Sequence, residues 1–271
     1  MKDVLIKWTG SKRLQAKQII SSFPKKINTY FEPFLGGGSI FLSLIKSKAE
    51  INCYVCSDTN QELIGIWNIV KNNHLELCEH YKENWLTLKE KGESHYLMIR
   101  ERFNSNKNPL DLFFLIRTCR NGLIRYNKKG CFNSAFHHRR LGASPDKVSN
   151  CIADHNALIS RNNVIFETRS FETICSQFGD FVYADPPYQQ AKDKFYYGGF
   201  QVYLLWDWLK SQHGSWALSL NGIRDNKDCT IDVPDIYDDH FLINTNSFQR
   251  LTKSKSLVQD SLYVKTALVS L

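Results

Sequence analysis

The sequence predicts an α/β protein whose sheet is interrupted by a basic, mainly helical insertion. Short apolar runs of strand length alternate with helical spacing toward both ends of the chain, while the stretch between them is helical and charged. Glycine and proline turns separate the segments. With 271 residues, the chain suits one large domain or a domain carrying an insertion. Hydrophobic residues at 42% and charged residues at 23% describe an ordinary packed protein, which excludes wholesale disorder and a membrane bundle.

In chain order, Leu14, Ile19, Ile20 and Phe23 share one helical face over 12–23, and Pro24 stops it. Residues 29–34 form an aromatic strand, Gly36, Gly37 and Gly38 break it, and Ser39 caps an apolar helix to Ile45. A second buried strand over 51–56 ends at Ser57-Asp58, and helical spacing resumes over 62–70, completing a βαβ unit. Residues 72–105 are helical and charged, and Asn108-Pro109 introduces an apolar helix over 110–119. The segment 120–140 is basic, polar and aromatic, with 126–132 as a hairpin tip. Beyond it come a strand at 164–166, a helix at 171–178, and a buried strand at 181–184 ending on Asp185. A helix at 206–209 and strands at 216–220 and 262–264 complete the expectation, with no internal repeat.

Charge is distributed unevenly. The chain carries 35 Lys and Arg against 27 Asp and Glu, a net +8. From Arg100 to Arg140 there are ten basic and two acidic residues, and from Met1 to Lys26 seven and one, so the remainder is mildly acidic. Two basic regions on such a body suit a polyanionic partner. The eight cysteines are scattered, and Cys53-x-x-Cys56, the one close pair, lacks a second pair at zinc-site spacing; reduced thiols and no metal are expected. The N-terminus has no apolar leader, and no apolar run approaches the roughly 18 residues of a membrane span, so a cytoplasmic location without membrane contact is expected.

A glycine turn between strand and helix lets a ligand approach the backbone at a helix N-terminus. Gly36-Gly37-Gly38 does not complete the dinucleotide fingerprint, because Phe41 stands where a third small residue is required. Asp58, about 20 positions on at the next strand end, suits ribose hydroxyls. Together they suggest a nucleoside-bearing cofactor, with a packing turn and a capping Asp left as the alternative. Asp185-Pro186-Pro187-Tyr188 follows a buried strand. Its two prolines remove N–H donors and leave a carbonyl-rich loop. If the Asp185 carboxylate and Pro186 carbonyl each accept an N–H from a nucleobase amine, its lone pair is freed toward an electrophile, while Tyr188 offers a stacking face.

Lys7-Trp8-Thr9-Gly10-Ser11-Lys12, the run Phe31 to Gly38, Ser57-Asp58-x-Asn60, Asn121 to Asn127 with Gly130-x-Phe132-Asn133, and Asp185 to Tyr188 occur in this order. In identity and order they resemble the Dam family of DNA adenine-N6 methyltransferases, alpha class, over residues 5–200; the tail resembles it only loosely. The resemblance implies a Rossmann-like class I methyltransferase sheet with helices on both faces, formed by 1–60 and 147–271. An inserted, mainly helical DNA-recognition domain with a β-hairpin would occupy 61–146. It also implies S-adenosylmethionine as cofactor, held by Trp8, Lys12, Asp58 and Asp185 with the backbone of Phe34, Gly36, Gly37 and Gly38. Asp185, Pro186, Pro187 and Tyr188 would hold a flipped adenine, and Lys7 and Arg125 would touch target bases. The resemblance places Asn121, Leu123, Asn127 and Asn133 on the DNA face, and Lys128, Lys129, Arg139 and Arg140 are phosphate-contact candidates. The chain departs from the family at Ala135, where members carry Pro before the aromatic, and follows it with His137-His138-Arg139-Arg140.

The function expected is methyl transfer to N6 of adenine in duplex DNA by a monomer or weak dimer, either in a restriction-modification system with a separately acting cognate endonuclease or in a phage or regulatory system. Rivals are N4-cytosine methylation, a catalytically silent DNA-binding module, and a nicotinamide dehydrogenase, which Phe41 disfavours.

Overall fold

The computed structural model describes residues 4–187, 201–224, 227–245 and 258–267. Eight strands form one sheet: β1 (Lys26–Glu32), β2 (Glu50–Asp58), β3 (Val164–Thr168), β4 (Phe181–Ala184), β5 (Ser215–Arg224), β6 (Lys227–Asp228), β7 (Asp239–Thr245) and β8 (Val258–Lys265). Their order is β3-β2-β1-β4-β5-β8-β7, with β6 on β5. The first five are parallel, and β8 enters antiparallel between β5 and β7. The direction of the order reverses between β1 and β4, which opens a crevice at their carboxyl ends where such sheets bind ligands.

Alternation along the central strands builds two cores. Phe181 and Tyr183 of β4 face one side with Tyr30, Tyr54 and Phe41. Val182 and Ala184 face the other with Trp216 and Leu218. The first core runs on into the helices α2 (Ser39–Leu44), α3 (Gln61–Asn72), α4 (His74–Lys91), α5 (Glu93–Asn106), α6 (Pro109–Thr118) and α7 (Pro145–Ser160). The second is closed by Trp206, Trp208 and Leu209 of α8 (Val202–Lys210). Helix α3 packs on β2 and β3 and also against α6 and α7, so it joins the sheet to the helical insertion. Asn60 caps it by accepting from the Leu63 N–H at 2.7 Å, and Asn156 of α7 donates to the carbonyls of Val70 and Lys71 at its other end.

Three expectations change. The helix expected over 12–23 is only α1 (Ala16–Ile20), because the Lys12 N–H is bonded to Ser39 Oγ at 3.1 Å and its side chain turns into the crevice. Ser39 is therefore the first helical residue, and Gly38 occupies the cap position. The helix expected at 171–178 is a single tight turn, Phe171–Thr173. The end of α8 occupies that backbone: Trp208 Nε1 and Gln212 Nε2 donate to the Ile174 carbonyl, and the Ser176 N–H donates to Gln212 Oε1. Strand β7 lacks a sequence signature, since Ile243 is its one buried apolar residue while Phe241 and Leu242 stay exposed at the sheet edge.

Cys53 and Cys56 lie three apart on β2, which turns their side chains to opposite faces, and both thiols are free. Among the described residues no group of three or more His, Cys, Asp or Glu is placed to hold a metal, and no helix is long and apolar enough to cross a membrane.

The insertion has its own buried charge. Asp111 on α6 is fully buried and accepts from Arg102 Nε at 2.7 Å and Nη2 at 2.5 Å, with His80 Nε2 at 3.0 Å. Burial alone would raise the Asp111 carboxyl, but Arg102 and His80 hold it below its usual value. Arg102→Met should lower stability by about 3 kcal/mol in urea unfolding, because it leaves that carboxylate with His80 alone. Adding Asp111→Asn should restore most of the loss; equal stability of wild type and Arg102→Met would contradict this.

Candidate active site and nucleic-acid interface

The crevice is built from strand ends. Strand β1 ends on Glu32 and runs through Phe34 into the glycine turn, where the Gly36 N–H donates to Asp58 Oδ2 at 3.0 Å. Asp58, the last residue of β2, also accepts the Asn60 N–H through Oδ1 at 3.0 Å. Burial pushes its carboxyl up, against the pull of these amides. Gly38 has φ +64, and a Cβ there would lie 2.6 Å from Trp67 Cζ2, so this position tolerates no side chain. Trp67 Nε1 donates to the Gly36 carbonyl at 3.2 Å, and the Trp8 ring lies against Gly36 with its Cβ against Gly37. The Phe34 and Phe171 rings are 5.3 Å apart, an aromatic wall reaching from the glycine turn to the segment after β3.

Asp185 follows β4 directly, with Pro186 buried and Pro187 half-buried; Tyr188 lies outside the described residues. Lys12 Nζ is 3.3 Å from Asp185 Oδ1 and 3.1 Å from Asp260 Oδ2, and the lysine is 4% exposed. Burial would lower this ammonium, but Asp185 and Asp260 reverse that and hold it above the ordinary lysine value. Lys12, counted in the N-terminal positive strip, is thus spent inside the protein.

Glu32 is 3% exposed and accepts the Tyr30 hydroxyl at 2.7 Å. Its carboxyl is pushed up to about 8, chiefly by burial and further by Asp185, so it is mostly protonated at neutral pH.

The basic residues divide between structure and surface. Arg117 is buried, and its Nη1 donates to the Val4 and Leu5 carbonyls at 3.0 and 2.6 Å, which fastens the N-terminal segment to α6. Lys7 is brought beside Gly122, and its ammonium is lowered first by burial and then by Arg117.

The expected hairpin is present as two isolated antiparallel bridges, Cys119 with Phe136 and Tyr126 with Phe132. The Asn127 N–H donates to the Cys131 carbonyl and the Asn133 N–H to the Arg125 carbonyl. The Ser134 hydroxyl joins the arms, accepting from the Arg125 N–H at 2.9 Å and donating to the Leu123 carbonyl at 2.7 Å. Side chains alternate: Ile124, Phe132, Ser134 and Phe136 are buried, while Leu123, Arg125, Asn133 and Ala135 form an outer face. Asn104 of α5 bonds both backbone groups of Phe132, and the Tyr96 hydroxyl donates to the Ser134 carbonyl. Asn121, Asn127, Lys128, Lys129, Arg139 and Arg140 are exposed around this face.

Asp260, Gln15, Trp67, Asn104 and Ser134 are site-building residues that the sequence reading left without a role. Trp67 and Asn104 sit in unremarkable helical patterns, and Asp260 lies in the weakly patterned tail. Glu32 stood inside a quoted motif, yet its burial is a tertiary property.

This sheet order, with its antiparallel strand inserted beside β5, a glycine turn after β1, an acid ending β2 and another directly after β4, defines a Rossmann-like class I methyltransferase fold. Residues 8–231 match the D12 class N6 adenine-specific DNA methyltransferase family. The chain is 33% identical over 205 residues to the type II methyltransferase M.MjaIII of Methanocaldococcus jannaschii, covering 68% of each chain. Identity to the type II methyltransferase M1.LlaDCHI of Lactococcus lactis is 32% over 196 residues, 67% of this chain and 64% of that one. The DNA adenine methylase of Haemophilus influenzae is 29% identical over 202 residues, 72% of this chain and 67% of that one. The matched stretches therefore span about two thirds of these relatives. The chain belongs to the D12 class of N6 adenine-specific DNA methyltransferases, enzymes that use a methyl donor and act on DNA.

Two outcomes test the site's construction. Glu32 binds its proton more tightly folded than unfolded, so stability should fall as pH rises from about 4.5 to about 8. Glu32→Gln, which can still accept from Tyr30, should flatten that part of the melting profile against pH; an unchanged slope would remove Glu32 as its source. Gly38→Ala should lower unfolding stability by about 1–3 kcal/mol through its φ and the Trp67 contact; a neutral result in urea unfolding would contradict the geometry.

Proposed function

We propose that this protein transfers a methyl group from S-adenosylmethionine to N6 of an adenine flipped out of duplex DNA. The observation that carries the reading is Asp185 at the crevice end of β4, followed by two prolines and ion-paired with a buried lysine. The residues lining the crevice suit this cofactor: a glycine turn with no side chain at its tightest point, an acid at ribose height in Asp58, and the Phe34–Phe171 wall for an adenine ring. When bound, the cofactor supplies a sulfonium-activated methyl. Trp8 flanks the glycine turn, and Lys12 steadies Asp185.

The chain's own groups then do the remaining work. Asp185 and the Pro186 carbonyl accept the two amine N–H bonds and turn the nitrogen lone pair toward the methyl, with Tyr188 stacking on the base. Extruding the adenine costs a few kcal/mol, offset by these contacts. The amine proton leaves to Asp185 or to water once nitrogen has bonded to carbon.

Residues 1–60 and 147–271 serve catalysis and 61–146 serve target recognition, with α3 as the joint. On the outer face of the hairpin, Arg125 reads a base edge beside Leu123, Asn121, Asn127 and Asn133, and Lys7 reaches the same groove from the N-terminal segment. Lys128, Lys129, Arg139 and Arg140 hold phosphates. The enzyme works in the cytoplasm as a monomer or weak dimer, and a restriction endonuclease acting separately would be its cognate partner.

Incubation with labelled methyl donor and mixed-sequence duplex DNA, followed by digestion to nucleosides, should place the label in N6-methyladenine. Label in N4-methylcytosine, or none, would overturn the reading. Asp185→Ala should abolish transfer while DNA is still bound at low salt; surviving activity would remove Asp185 from the mechanism. Arg125→Ala should relax sequence preference by about 1–3 kcal/mol at one position with little change in the salt dependence of binding. A uniform loss on all duplexes would recast Arg125 as a phosphate contact.

A further inference from the structure

Lys12 is shared by two carboxylates, and the second comes from a part of the chain beyond the family match at 8–231. Asp260 lies on β8, is 6% exposed, and pairs in register with Asn221 of β5. The register shifts immediately after this pair, so that four residues of β5, Asn221 to Arg224, lie against three of β8, Asp260 to Val258. Gly222 makes the shift possible: a Cβ there would lie 2.5 Å from the Gln259 carbonyl oxygen. A bulge of this kind bends a strand and re-aims the neighbouring side chains, and it is a built feature where it adjoins a site. Here it adjoins Asp260, whose Oδ2 takes both the Lys12 ammonium at 3.1 Å and the Gln15 amide at 2.7 Å.

The charge count at this point matters for the chemistry. A methyl sulfonium is cationic, and the amine nitrogen gains positive charge as it bonds to the methyl. A buried ammonium beside Asp185 with no second partner would cancel the carboxylate and repel both. With Asp260 present, Lys12 and its two carboxylates sum to one negative charge at the carboxyl end of β4, and among the described residues Tyr183 and Glu32 lie close by without adding a cation. Resting on the reading of Asp185 as acceptor of the adenine amine, we infer that Asp260 is a positioning residue for methyl transfer: it neutralises and anchors Lys12, so that Asp185 meets the cationic reaction with its negative charge intact.

The experiment compares kcat and KM of Asp260→Asn, Lys12→Met, their double variant and Gln15→Leu in the full chain on duplex DNA. Asp260→Asn should lower kcat by about 10-fold or more, with KM for DNA unchanged. The double variant should be no slower than the slower single one, because both changes act through one ion pair. Gln15→Leu, which frees Asp260 to turn without altering charge, should lower kcat by a smaller factor, and it carries the test if Asp260→Asn does not fold. Wild-type kcat in Asp260→Asn or, where that variant does not fold, in Gln15→Leu, or losses that multiply in the double variant, would overturn the inference. Asp185→Ala measured alongside separates the claims. If it retains activity, the acceptor reading falls. If it is silent while Asp260→Asn, or in its place Gln15→Leu, turns over normally, only the role of Asp260 falls.

Discussion

A single buried ammonium organises the crevice. Lys12 reaches Asp185 after β4 and Asp260 on β8 while its own backbone N–H is bonded to Ser39 at the start of α2. Three segments that are distant in sequence converge on that one residue. A buried lysine is unfavourable unless paired, so the fold keeps it only because both carboxylates are delivered by well-packed strands. The same constraint shortens α1, since residue 12 cannot both serve the crevice and begin a helix.

From the crevice the N-terminal segment passes to the recognition side. Arg117 binds the Val4 and Leu5 carbonyls from within the insertion, and Lys7 lies against Gly122 at the root of the hairpin. Helix α5 holds the second hairpin arm through Asn104 and Tyr96, and Ser134 ties that arm to the first. The outer face that carries Arg125 is thus supported by backbone bonds from a rigid helix rather than by a long strand ladder.

Most of the crevice's framework was legible because its signals are local. A buried strand ending in Asp185-Pro186-Pro187, and a glycine turn followed by Asp58 at the next strand end, are short-range patterns with few physical solutions. The two basic regions were legible as charge but not as placement, since Arg117 and Lys12 proved to be internal. Asp260 and Glu32 owe their character to burial and to partners far away in sequence, which composition does not carry. The helix expected at 171–178 failed for a related reason: Trp208 and Gln212 take up the backbone groups that a helix would have used. Strand β7 went unread because an edge strand whose one buried apolar residue is Ile243 shows no two-residue period.

The most direct test of the account is to express the chain in cells that lack adenine methylation and to map modified bases along the genomic DNA. N6-methyladenine should appear confined to one short recognition sequence and be lost when Asp185 is replaced by alanine. Unmodified adenine throughout, or modification found on cytosine instead, would contradict it.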